Sequence, residues 1–179
     1  MNLQDVNILF SEEQIQTRVA EMAAEISRDY NGQKLLVVGI LKGAFIFMSD
    51  LIRAMDIDVQ VDFMDVSSYG TSTESSGEVR IMKDLEEPIE GRNVLVVEDI
   101  IDTGLTINYI LEILHKRRPR TLRVCSFLDK PARRKVGVIP DYCGFQIPDH
   151  FIVGYGLDYA EEYRALPHVC ILKPEIYSK

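Results

Sequence analysis

The stretch VLVVEDIIDTGLT, residues 94 to 106, decides how this chain reads, because it packs a strand, several acids and hydroxyls, and a helix start into one short run. Val94, Leu95, Val96 and Val97 form a continuous apolar, β-branched-rich segment, the pattern of a strand covered on both faces in a parallel sheet. Glu98 and Asp99 follow at once, so two carboxylates are expected at the strand's carboxyl end. That is the edge at which open α/β sheets bind ligands. After Asp102, Thr103, Gly104 and Thr106, the apolar residues Ile107, Ile110, Leu111 and Leu114 recur at helical spacing. The turn between is a phosphate cradle in outline. Helix-start amides are unpaired and the dipole is positive there, Gly104 lets the backbone come close, and the threonines add hydroxyl donors. The neighbouring acids suit sugar hydroxyls and a hydrated Mg²⁺. A blander reading has Asp102 and Thr103 capping the helix and Glu98 and Asp99 solvated in a loop.

With 179 residues the chain suits one domain, 1–179, and its 46% hydrophobic and 27% charged content matches an ordinary globular protein. The amino terminus MNLQDVNILF has neither a basic n-region nor a long apolar h-region. The longest strongly apolar stretch, LLVVGIL at 35 to 41, is too short to span a bilayer, so a soluble, cytoplasmic protein is expected. Cys125, Cys143 and Cys170 are odd in number and widely spaced, which suggests free thiols and neither a disulfide framework nor a zinc site. The net charge of −8 opposes generic nucleic-acid binding. One region departs from it: from His115 to Lys135 nine Lys and Arg residues stand against Asp129 alone. A helix end favoured by its dipole, followed by a solvated loop, accounts for this cluster better than an RNA patch.

Ser11-Glu12-Glu13-Gln14 reads as a capping box, and Ile15, Val19, Met22, Ala23, Ile26 and Tyr30 share one helical face until Asn31-Gly32. Residues 34–41 read as a second buried strand. Leu41-Lys42-Gly43 leads from it into a helix with Ala44, Met48, Leu51, Ile52 and Met55 on one face. From Asp56 to Asp65 the pattern alternates, with Ile57, Val59, Val61 and Phe63 expected inside and Asp58, Gln60 and Asp62 on a wet face. In SSYGTSTESSG, residues 67–77, nine of eleven positions are Ser, Thr or Gly, which suits neither a helix nor a sheet interior. Short strands over 79–83 and 120–128 and a closing strand near HVCIL complete a strand-helix alternation typical of a doubly wound sheet.

The run Glu-Asp-Ile-Ile-Asp-Thr-Gly after a buried strand resembles the phosphoribosyl-diphosphate signature of type I phosphoribosyltransferases, and its wording is most similar to the hypoxanthine-guanine members. FIVGYGLDYAEEYR, 151–164, is a second similarity, so the resemblance spans most of the chain. It implies an α/β fold with a mostly parallel central sheet and flanking helices, a small hood made from the terminal segments, and a flexible lid near 67–78 that includes Ser68 and Tyr69. It further implies that Glu98 and Asp99 hold the ribose, that residues 103–106 hold the 5′-phosphate, and that Lys42, Gly43 and Arg164 hold the pyrophosphate. An unusual cis peptide commonly precedes the lysine. Lys130 would donate to the six-position oxygen of a purine, Phe151 would stack on the base, Ile152 would read the ring edge through its backbone, and Asp158 would help bind the purine and lie near the metal with Glu98 and Asp99. Leu105 departs from relatives that carry lysine or another polar residue there.

The activity the resemblance implies is Mg²⁺-dependent transfer of 5-phosphoribose to N9 of hypoxanthine or guanine, with Asp102 accepting the N7 proton as general base. Its partners would be phosphoribosyl diphosphate, a 6-oxopurine and further copies of the chain in a dimer or tetramer. Two alternatives stay open: an enzyme preferring xanthine, and a regulatory RNA-binding protein on the same fold with the 115–135 cluster as its contact.

Overall fold

A computed structural model describes residues 3–68 and 79–177. The first helix, α1 (Glu12–Asp29), follows a short strand, β1 (Val6–Phe10), and starts where its sequence says it should. Ser11 Oγ accepts from the Gln14 amide at 3.3 Å while Gln14 Oε1 accepts from the Ser11 amide at 2.9 Å. Two otherwise orphaned helix-start donors are thereby satisfied.

The chain then builds β2 (Leu35–Leu41), α2 (Phe45–Ala54), β3 (Val59–Ser68), β4 (Val79–Lys83), β5 (Asn93–Ile101), α3 (Leu105–Lys116), β6 (Thr121–Asp129) and β7 (Tyr142–Gln146). These strands form one six-stranded sheet in the order β4-β3-β2-β5-β6-β7, parallel except for edge strand β4. Its central strands are apolar on both faces because both are covered. Leu35, Val37, Leu95, Val97, Cys125 and Phe127 pack with α1 and α2, while Leu36, Val38, Val94, Val96 and Val124 pack with Ile107, Ile110 and Leu114 of α3. This is the doubly wound, mostly parallel arrangement expected of the strand-helix alternation. Gly39 makes the close approach of α2 possible, since a Cβ there would lie 2.3 Å from Met48 Sδ.

A second, smaller sheet joins the two ends of the chain. Its order is β1-β9-β8, from β8 (Ile152–Val153) and β9 (Val169–Leu172), all antiparallel. Val6, Val153, Tyr163, Leu166, Cys170 and Leu172 form its own core. A single turn, α4 (Pro174–Tyr177), follows. Among the described residues no helix is long and apolar enough to cross a membrane.

Several elements differ from the sequence reading. The expected faces hold at Ile57, Val59 and Phe63, which pack against the core, and at exposed Asp58 and Gln60, but they fail midway along β3, where Asp62 is 8% exposed and Val61 is 43% exposed. The segment after β4 folds back over β3, so that Asp62 accepts from the Glu86 amide (2.8 Å) and from Lys83 Nζ (3.3 Å). β5 does not end at Val97 but runs through both acids to Ile101, with Glu98 opposite Ser126 and Ile101 opposite Asp129. Strands β1, β7 and β8 had no distinct sequence pattern. β7 carries Gly144 where a Cβ would meet Phe127 O at 2.3 Å, and β8 is only two residues long.

Candidate active site

The carboxyl edge of the sheet gathers the loops that follow β2, β5 and β6. After β5 the chain turns through Asp102 and Thr103 to Gly104, whose φ of 81° is left-handed and favours glycine. Gly104 sits at the N-cap of α3 with no side-chain cap. Neither Asp102 nor Thr103 therefore occupies the cap position, although Thr103 satisfies one helix-start amide. Thr103 Oγ1 accepts from the Leu105 amide at 3.4 Å, and the Thr103 carbonyl accepts from the Lys135 amide at 2.9 Å. Arg134 and Val136 close the far side of Gly104, as a Cβ there would lie 2.9 Å from Arg134 Cδ. A cavity of about 180 Å³ remains, lined by Glu98, Asp99, Ile100, Ile101, Asp102, Thr103, Gly104, Thr106 and Ile107. Leu105 faces partly outward and adds no polar group to it. The open helix-start amides give the cavity its preference for an anion.

Two half-buried carboxyls form one wall. Desolvation holds Glu98 well above the usual carboxylate range, with Asp99 beside it raising it further, and the buried Glu98 Oε2 has no partner among the described residues. Burial also pushes Asp99 up, opposed by hydrogen bonds that include one from the Ile100 amide at 2.7 Å. Asp99 reaches across to the loop after β2. A Cβ on Gly43 would lie 1.6 Å from Asp99 Oδ2, so only glycine leaves room for that carboxylate. The Leu41–Lys42 peptide bond in this loop is cis.

Asp102 is held asymmetrically. Its Oδ2 is 3.3 Å from Arg133 Nη1 and 3.9 Å from Lys130 Nζ, while its buried Oδ1 has no partner among the described residues. Lys130 itself is only 5% exposed. A buried ammonium needs acceptors, and it has the His150 carbonyl at 2.9 Å and Asp149 at 3.7 Å. Ile152 is buried next door, and Phe151 stands 37% exposed with one face stacked on Tyr177 at 5.0 Å between centroids.

A third group lies beyond Gly43. Arg164 donates to the Gly156 carbonyl (2.8 Å) and pairs with Asp158 (3.0 Å), and both Arg164 (3.5 Å) and Lys42 (3.3 Å) converge on Glu161. A Cβ on Gly156 would meet the Gly43 carbonyl at 2.2 Å, so the two loops are in direct contact. The structure thus brings Lys42, Gly43, Asp99 and Arg164 into one neighbourhood. It does not bring Asp158 to Glu98 and Asp99 as a third metal ligand. Asp158 Oδ1 is on Arg164, Oδ2 accepts from the Glu161 amide at 2.9 Å, and among the described residues no three metal-binding side chains cluster. Tyr69 and the rest of the expected lid to residue 78 lie outside the described residues, and Ser68 ends β3.

Sequence reasoning missed Glu161, Arg133, Asp149 and Gly156. Arg133 lay within the basic cluster, whose helix end and largely exposed loop 131–137 match the expected reading. Several of its cations are nonetheless paired: Arg117 with Asp84 (2.7 Å), Arg118 with Glu90 (3.0 Å), Arg123 with Asp29 (2.9 Å), and Arg134 with Asp129. Asp84, Glu90 and Asp29 come from distant segments, so charge spacing alone carried no signal of them.

The family model for the phosphoribosyl transferase domain matches residues 5–160. The chain belongs to that family. It is 51% identical over 95% of its length to the hypoxanthine-guanine phosphoribosyltransferase of Bacillus subtilis (strain 168), covering 94% of that protein. A solved hypoxanthine phosphoribosyltransferase from Staphylococcus aureus is similar with a TM-score of 0.95 and 50% identity, over 98% of this chain and 96% of that one. One from Trypanosoma cruzi has a TM-score of 0.93 and 41% identity, over 99% of this chain and 97% of that one. The mixed α/β fold with its parallel core is the family's.

Proposed function

We propose that this phosphoribosyltransferase serves purine salvage, transferring 5-phosphoribose from phosphoribosyl diphosphate to N9 of hypoxanthine or guanine to give IMP or GMP and diphosphate. The observation that carries this reading is the state of Asp102. One oxygen is held by two cations, and the other is buried without a partner among the described residues, beside the 102–106 turn and Lys130.

Residues 103–106 hold the 5′-phosphate through amides and threonine hydroxyls, and Glu98 and Asp99 accept from the ribose hydroxyls. Lys42 and Arg164 exchange Glu161 for the departing diphosphate, with Gly43 giving the backbone access. Lys130 donates to the purine six-position oxygen, Phe151 stacks on the base, and the Ile152 backbone reads the ring edge. As the anomeric C–O bond breaks and the N9–C1′ bond forms, Asp102 takes the proton from N7. Asp158 orients Arg164.

The donor set fits Mg²⁺. Glu98 Oε2 is an unpartnered buried oxygen beside a second carboxyl, and Mg²⁺ is commonly held by one or two carboxylates together with substrate phosphates. When bound it neutralises charge on the diphosphate. Ser68 and Tyr69 form the lid, and the terminal sheet forms the hood. The free cysteines Cys125, Cys143 and Cys170 suit a reducing compartment, and we assign the protein to the cytoplasm. A dimer or tetramer is expected, and sedimentation of the intact chain checks it.

The deciding experiment is steady-state turnover with hypoxanthine, guanine, xanthine and adenine, with Asp102→Asn beside the parent. Hypoxanthine and guanine should turn over and adenine should not. A positioned base contributes about 10²- to 10⁴-fold, so kcat of Asp102→Asn should fall by that much with KM for phosphoribosyl diphosphate unchanged. Equal turnover by the variant removes Asp102 from the role.

A further inference from the structure

The amino edge of the six-stranded sheet, opposite the edge that carries Asp102, bears a row of cations that phosphoribosyl transfer does not use. In the pairing register Leu35 of β2 lies opposite Asn93 of β5, and Asn93 lies opposite Thr121 of β6. The residues immediately before them, Lys34, Arg92 and Arg120, therefore stand side by side on three adjacent strands, with neighbours about 4.8 Å apart at the backbone. The Arg120 amide donates to the Arg92 carbonyl at 2.8 Å, which fixes two of them together.

All three line one cavity of about 360 Å³ with Gln33, Gln60, Gly91 and Asn93, and its lining contains no acid. None of the three has an ion-pair partner among the described residues, whereas Arg117, Arg118 and Arg123 nearby each have one. Arg92 donates only to neutral acceptors, Gln60 Oε1 and the Pro88 carbonyl. Asp56 and Asp58 line an adjoining cavity that shares Gly32, Gln33 and Lys34, but they do not line this one. Gly32 and Gly91 leave its rim open, since a Cβ on either meets nothing within 4 Å. In a chain of net charge −8, three unpaired cations a strand apart leave a local repulsion that an anion would relieve.

The geometry points to a second anion site at this edge, taking a diphosphate group. Three cations spread over two strand spacings span roughly 10 Å, which suits two linked phosphates better than one. The lining offers no aromatic platform for a base, so recognition stops at the diphosphate, whether it comes free or as part of a nucleoside diphosphate. The site stands on this edge alone and does not depend on the proposed reaction.

The test is a titration of the ¹⁵N-labelled full chain with inorganic diphosphate at constant ionic strength, followed residue by residue. The amides of Gly91, Arg92, Asn93, Arg120 and Thr121 should shift and saturate, as a set distinct from Lys42, Gly43 and Arg164. In the Lys34→Gln/Arg120→Gln double variant the midpoint of the edge set should rise at least tenfold, while the set at Lys42, Gly43 and Arg164 and turnover stay unchanged. A nucleoside diphosphate should give the same edge midpoint as inorganic diphosphate. The site is overturned if the edge amides fail to saturate, respond equally to sodium chloride, or saturate unaltered in the double variant. A nucleoside diphosphate binding more than tenfold tighter overturns the assignment to diphosphate alone. Failure of the proposed reaction would show separately, in the set at Lys42, Gly43 and Arg164 and in turnover.

Discussion

Gly43 shows how much one hydrogen atom can decide. Its sequence position suggested a loop that admits an anion, and the structure adds a steric reason, because Asp99 Oδ2 occupies the volume of any Cβ at that position. Asp99 is half-buried and bonded to the Ile100 amide, so it cannot swing aside without losing that contact. Gly43→Ala should therefore displace the carboxylate while leaving the sheet intact. Misplacement of a reacting group by about 1 Å can cost on the order of 10²-fold in rate. Turnover of Gly43→Ala should fall by at least about tenfold with the melting temperature nearly unchanged. A variant with parental kcat and KM would show that Asp99 need not sit there. The local motif was legible in sequence because Glu98, Asp99, Asp102 and Gly104 are neighbours in the chain. Arg133 and Glu161 were not, because what they do depends on which distant acid or base faces them.

Among the elements, the connection after β4 is held by two carboxylates that respond to acid. Burial opposes ionisation of Asp62, but amide donation by Glu86 and Phe63 together with Lys83 outweighs it and lowers the pKa. Asp84 is lowered chiefly by hydrogen bonding to Arg117 at the end of α3. Both groups titrate lower in the folded chain than at the ordinary value of 3.8, so as pH falls the unfolded chain takes up protons first. Their contribution is fully present above that value and disappears as pH drops through the folded pKa values. Urea unfolding as a function of pH should show stability falling below about pH 4. Asp62→Asn should flatten the acid limb while lowering stability at neutral pH; an unchanged limb would exclude Asp62 as a contributor. The periodicity of α1, α2 and α3 was readable because one face of each packs on a core. β3 misled because a later segment covers the face that its acids suggested was wet.

Across the whole molecule, one sheet separates two apolar layers, and β5 contributes to both: Leu95 and Val97 to one, Val94 and Val96 to the other. Leu95 is fully buried. Leu95→Ala should cost about 2–5 kcal/mol, a large share of the roughly 5–15 kcal/mol that holds a domain folded, and denaturant unfolding measures it. A loss below about 1 kcal/mol would mean that the core closes over the gap. By itself the sequence determined the alternation of strands and helices, the parallel core, the capped start of α1 and the signature turn, because each rests on contacts within a few residues or on a period that repeats along the chain. Only the tertiary structure decided that Asp62 is buried, that Asp158 turns to Arg164 instead of joining Glu98 and Asp99, that Lys130 and Arg133 meet at Asp102, and that Lys34, Arg92 and Arg120 line up at the opposite edge. Those facts depend on strand order and register, which bring together residues far apart in the chain, and local spacing carries no record of that.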